Sequence, residues 1–102
     1  MSQQDVVTKV KTGIELQEPP MFRVIYLNDN STSVEFVIGS LVEFFEYNND
    51  TALKITEDIH TAGSAVVAVL PYEIAEQKGI EVTVAARNNN YPLQVKLEPE
   101  MA

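Results

Sequence analysis

A chain of 102 residues without cysteine has room for one domain and for no disulfide framework, thiol nucleophile or cysteine-ligated zinc. Fifteen acidic against seven basic residues give a formal net charge of −8, which argues against electrostatic capture of nucleic acid or anionic lipid and suits cationic or polar protein partners. The longest apolar run, Ala65 to Leu70, is too short to span a bilayer, and Met1-Ser2-Gln3-Gln4-Asp5 leads into no apolar stretch, so neither a membrane span nor a secretory signal is expected.

Residues 1–19 are polar and pass through Gly13 to Pro19-Pro20; Val6, Val7, Val10, Ile14 and Leu16 suffice for a marginal helix at most, and the composition predicts a flexible tail. From Met21 the apolar residues alternate, with Phe22, Val24 and Tyr26 on one face, until Asn28-Asp29-Asn30 turns the chain. Thr32 and Glu35 have the spacing of a capping box, which starts a helix near Ser33. Its residues Val34, Val37, Ile38, Leu41, Phe44 and Phe45 recur at three and four, the stripe of a helix lying on a core. Asn48-Asn49-Asp50 ends that helix, and Asp50 is the expected cap of a second, Thr51 to about Thr61, closed by Gly63.

Ser64 to Leu70 is dense in Val and Ala, the pattern of a strand buried on both faces. Pro71 is placed to open a third helix, which Gly79 breaks or weakens before Ile80 to Ala86. A last strand alternates from Leu93 to Leu97. Strand, helix, helix, strand, helix, strand predicts an α+β fold over residues 20–99, a small sandwich of a three-stranded sheet covered by helices.

Asn28, Asp29 and the single histidine, His60, invite a catalytic reading with His60 as base, but no nucleophile accompanies them. One histidine and carboxylates off ligand spacing make no metal site, and no glycine loop cradles phosphate, so no cofactor is expected. Taken alone, Asn-Asp-Asn is ordinary turn chemistry, and a histidine near a helix end is ordinary dipole chemistry.

Taken together, Pro19-Pro20-Met21-Phe22-Arg23-Val24-Ile25, the Asn28-Asp29 loop with Thr32 and Glu35-Phe36-Val37, Ile59-His60 with Gly63, Glu73 through Lys78, and Tyr91-Pro92-Leu93 resemble the ClpS family over roughly residues 19–98. These are adaptors that hand proteins with destabilising N-terminal residues to an ATP-dependent Clp protease. The resemblance implies the fold of the ribosomal stalk protein's C-terminal domain, a bacterial cytoplasmic location ahead of a plastid stroma, a monomer, and binding without catalysis. It implies that Asn28, Asp29 and His60 accept hydrogen bonds from a substrate's α-amino group, which is mostly cationic at pH 7. Around them, Val34, Val37, Thr56, Ile59 and Leu93 would wall a pocket for N-terminal Leu, Phe, Tyr or Trp, with Thr32 at its rim. Glu73 and Lys78 would contact the N-terminal domain of a ClpA- or ClpC-like ATPase, while the tail engages that ATPase during delivery.

Four positions depart from the family pattern. Val34 and Thr56 each stand where a methionine is common, Asn30 replaces a second aspartate, and Tyr26 an aliphatic residue. Val34, shorter than methionine, predicts better tolerance of N-terminal Ile and Val. Tyr26, pointing inward, would narrow the pocket. The alternative to an N-terminal-residue adaptor is a protein-interaction module on the stalk-like fold, which has no need of Asn28, Asp29 and His60 around an apolar pit.

Overall fold

The computed structural model describes residues 19–101, so the expected tail lies outside the described residues except for Pro19. Six elements follow in the predicted order: β1 (Met21–Leu27), α1 (Val34–Phe45), α2 (Asn49–Ala62), β2 (Ser64–Pro71), α3 (Tyr72–Asn88) and β3 (Gln94–Pro99). The strands form one sheet of order β2-β1-β3, with β1 antiparallel to both neighbours. β2 and β3 therefore run parallel to each other, and α3 supplies the crossover that parallel strands require.

The alternation of β1 holds in part: Phe22 is only half-buried, and Ile25, on the opposite face, is buried too. Val24 and Tyr26 are wholly buried, joined in the core by Leu41 from α1, Ala52 and Ile59 from α2, Val67 from β2, Ala75, Val82 and Ala86 from α3, and Leu93. Three of these are alanines with no exposed surface, so backbones approach closely where they meet. One irregularity bends the sheet: Val24 pairs with Ala68 but Ile25 pairs with Val66, leaving Val67 as the extra residue of a bulge.

β2 departs from expectation. Its Val and Ala density predicts burial on both faces, yet it is an edge strand with Val66 and Val69 45% and 40% exposed. Composition reports β propensity, whereas position in the sheet is decided by partners distant in sequence. α3 runs unbroken through Gly79, where an added Cβ would lie 3.6 Å from Val95 Cγ1, so the glycine sits at the close approach to β3. Pro71 is the residue ahead of that helix and not its first turn.

Both N-caps also differ. Ser33, not Thr32, accepts from the Phe36 N–H at 3.0 Å, and Asn48, not Asp50, accepts from the Thr51 N–H at 2.8 Å. Asp50 falls instead in the first turn of α2, where its charge complements the helix dipole. α1 stops at Glu46, whose left-handed φ of 63° lets its N–H reach the Leu41 and Val42 carbonyls. Gly63 closes α2 as expected, at φ 91° with its N–H on the Ile59 carbonyl.

Candidate binding site

The loop between β1 and α1 is organised by one carboxylate. Asp29 Oδ1 accepts the Ser31 and Thr32 N–H groups, each at 2.7 Å, and Oδ2 accepts the Thr32 hydroxyl at 2.8 Å. This explains why Thr32 is not the helix cap: its hydroxyl is donated backwards to Asp29. The Asn28 N–H donates to the Gly63 carbonyl at 2.9 Å, pinning the loop to the end of α2 three residues beyond His60.

Desolvation pushes the Asp29 carboxyl up, but the Thr32 hydroxyl, the Thr32 and Ser31 N–H groups and the Arg87 charge together outweigh it and hold the carboxyl below its usual range. A depressed folded-state value means a contribution to stability present above the unfolded carboxyl's pKa and lost as pH falls through the folded one. Asp29→Ala is therefore expected to cost about 1–2 kcal/mol at neutral pH, discounted for partial exposure. Its denaturation midpoint should approach that of the parent as the solution is acidified; a gap that stays constant with pH would remove the carboxylate from the account.

Between the first turn of α1 and α2 lies a cleft of about 370 Å³ lined by Val34, Leu53, Thr56, Glu57, His60 and Thr61. Val34 projects from the first turn of α1 and the rest from one face of α2. Thr56 forms the floor: it is buried, and its hydroxyl donates to the Ala52 carbonyl at 2.7 Å, so its methyl is what remains for a ligand. Val34 and Leu53, 53% and 43% exposed, are apolar walls open to solvent. His60 stands exposed in the last turn of α2.

Of the residues singled out in the sequence, Val34, Thr56 and His60 thus share the cleft, with Asn28 and Asp29 on the loop tied to the same helix end. Val37, Ile59 and Leu93 are buried in the core instead of lining the cleft, and Thr32 is committed to Asp29. Tyr26 lies in the core, its hydroxyl 2.8 Å from Ser40 Oγ, and is not part of the cleft wall. Leu53, Glu57 and Thr61 escaped the sequence reading, although their spacing of four places them in one row beside Thr56 and His60.

On α3, Glu73 is exposed in the first turn, and Lys78 is half-buried with its ammonium 3.9 Å from Glu81. At 100° per residue they stand about 140° apart, with exposed Ile74 and Gln77 in the arc between. Among the described residues no group of three or more His, Asp and Glu is placed to hold a metal, and no helix is long and apolar enough to cross a membrane.

The family model for the ATP-dependent Clp protease adaptor protein ClpS matches residues 17–96, which takes in the loop, the cleft and α3. The chain belongs to the ClpS family. A ClpS adapter from Treponema denticola is 41% identical over 81 residues, covering 79% of this chain and 80% of its own. One from Roseobacter denitrificans is 42% identical over 93 residues, covering 91% of this chain and 79% of its own. In three dimensions the chain is similar to Agrobacterium tumefaciens ClpS2, solved bound to L-phenylalaninamide, with a TM-score of 0.79 and 37% identity over 81% of this chain and all of that one. The α+β sandwich expected from the element order is thus the ClpS architecture, and the family's members are adaptors of an ATP-dependent Clp protease.

Proposed function

We propose that this ClpS-family chain binds proteins with a hydrophobic N-terminal residue, Leu, Phe, Tyr or Trp, and delivers them to a Clp ATPase for unfolding and degradation. The observation that carries this reading is the cleft itself: a mostly apolar pit with an imidazole at its edge, tied through Gly63 and Asn28 to a loop rich in acceptors. The Agrobacterium relative supports it, because phenylalaninamide presents a free α-amino group beside an aromatic side chain.

An α-ammonium carries three donors and needs three acceptors. The Asn28 side-chain oxygen and a neutral ring nitrogen of His60 supply two. Asp29 supplies negative charge, directly or through water, at a helix N-terminus that would otherwise repel a cation. Val34, Leu53 and Thr56 receive the first side chain, Val37, Ile59 and Leu93 hold those walls in place from the core, and Thr32 keeps Asp29 aligned. No step of chemistry is involved, and the energy for unfolding comes from the ATPase, whose N-terminal domain docks on the Glu73, Ile74 and Lys78 arc of α3. The adaptor acts as a cytoplasmic monomer.

A buried Leu or Phe contributes about 1.5–3 kcal/mol and each hydrogen bond to the ammonium a similar amount, which after association costs fits a Kd on the order of micromolar or tighter. Fluorescence anisotropy of short peptides that differ only at residue one tests the reading. Leu, Phe, Tyr and Trp peptides should bind and the N-acetylated Leu peptide should not; equal binding with and without acetylation would refute the amino-group site.

Val34 sets a second expectation. Valine leaves room at the cleft mouth that a longer thioether would fill. Ile and Val peptides should bind within about a hundredfold of the Leu peptide, since a methylene difference in an apolar pocket is worth about 1–3 kcal/mol. Val34→Met should widen that gap, and rejection of Ile and Val by the parent chain would show that Val34 does not govern the choice.

A further inference from the structure

We propose that Glu57 is a second point of recognition, reading a lysine or arginine side chain on the residue that follows the N-terminal one. The proposal rests on the reading of the cleft as the site for the first residue, and it adds a preference at position two.

Three observations carry it. First, Glu57 is a cleft-lining residue at the rim: it is exposed, one turn from both Leu53 and Thr61, while the neighbouring Thr56 is the buried floor. Of the lining residues Glu57 alone carries a permanent charge, so it is the one fixed charge of the cleft within reach of a peptide whose first side chain fills the pit. Second, that charge has no cationic partner among the described residues. The ion pairs among the described residues are Arg23 with Glu100, Lys78 with Glu81 and Lys96 with Glu98. Lys54, three positions before Glu57 on the same helix, is in none of them, and the cleft lining holds no Lys or Arg.

Third, the other carboxylate near the site is already engaged. Asp29 accepts three hydrogen bonds within its own loop, whereas the Glu57 side chain accepts none among the described residues. Glu57 also lies in the second half of α2, beyond the N-terminal turn in which the helix dipole would stabilise a carboxylate. Its placement benefits a cationic ligand more than it benefits the helix.

The test uses the full chain and three labelled peptides with a free N-terminal Leu that differ only in Lys, Gln or Glu at position two. The parent should bind Lys more tightly than Gln, and Gln more tightly than Glu, by about two- to fivefold per step, the range of an exposed ion pair, and the spread should shrink as salt is raised. Glu57→Gln should collapse the order and Glu57→Lys should reverse it. Both substitutions keep good helix formers at an exposed position, so the fold is retained. Equal binding of the three peptides by the parent would overturn the proposal. So would a Glu57→Gln loss of equal size for all three, which would assign the carboxylate to the amino group. Absence of binding by every peptide would instead bring down the N-terminal-residue reading and this inference with it.

Discussion

His60→Ala is expected to weaken binding of a peptide with a free N-terminal Leu by about ten- to hundredfold, the loss of one hydrogen bond to a charged group in a partly desolvated site. His60 lines the cleft from an exposed position in the last turn of α2, so alanine removes a ligand contact without opening the core. Two other consequences separate this role from simple packing. N-acetylation of the peptide should cost the alanine variant less than it costs the parent, because one of the bonds it deletes is already gone and changes at one site are not additive. His60→Gln, which keeps an acceptor oxygen on a comparable reach, should recover part of the affinity. If His60 served only the helix end, alanine would cost a few tenths to about 1 kcal/mol of stability and leave peptide affinity alone. Anisotropy titrations of the three proteins with free and acetylated peptides, alongside denaturation midpoints, decide between the two.

How much of this site the sequence carries depends on how far each signal reaches along the chain. Alternation in β1 and the three-four stripe of α1 are local, and each buries the middle of the set its period selects, Val24 and Tyr26 in one and Val37 and Leu41 in the other, while Ile25 and Ser40 are buried outside those sets. The helix starts are local too, yet at each a nearby residue that the sequence reading did not name as the cap, Ser33 or Asn48, caps the helix in place of the expected one, through contacts the capping pattern does not contain. Thr32 is claimed by Asp29 three residues back, and Asn48 reaches Thr51 before Asp50 can serve. Sheet order is not local at all, which is why a run as apolar as Ser64 to Leu70 turned out to be an edge. The cleft lies between. Val34 reads as the first member of the α1 stripe, but at the N-terminal turn it overhangs the core and reaches α2 instead. Leu53, Glu57 and Thr61 were legible only to someone asking what shares a helix face with His60.

Tyr26→Ala is expected to destabilise the domain by about 3–5 kcal/mol, a large share of the 5–15 kcal/mol typical of a whole domain. The ring is wholly buried in the core and meets Phe45 edge-on at 6.2 Å between centroids. Its hydroxyl has a defined direction. Ser40 Oγ donates its one hydrogen to the Val37 carbonyl at 2.8 Å, so in the 2.8 Å contact between Tyr26 and Ser40 the phenol is the donor. Tyr26→Phe keeps the ring and breaks only that relay, at a cost of about 1 kcal/mol. The two variants differ further in alkali. Burial pushes the Tyr26 phenol well above its ordinary 10.0, against a smaller opposing pull from the Ser40 bond. The folded chain thus holds a proton that the unfolded chain releases, so the phenol's contribution is fully present below pH 10 and declines as pH rises from there, by up to about 1.4 kcal/mol per pH unit. Phenylalanine has no proton to lose and should flatten that decline. Tyr72, also raised, by its bond to Glu76, is exposed and common to both proteins, so it cancels in the comparison. Urea midpoints measured from neutral pH upward should show the parent ahead of Tyr26→Phe at neutrality and the two curves converging, then crossing, above pH 10. Parallel curves would mean that the phenol is not held in the neutral form by the fold.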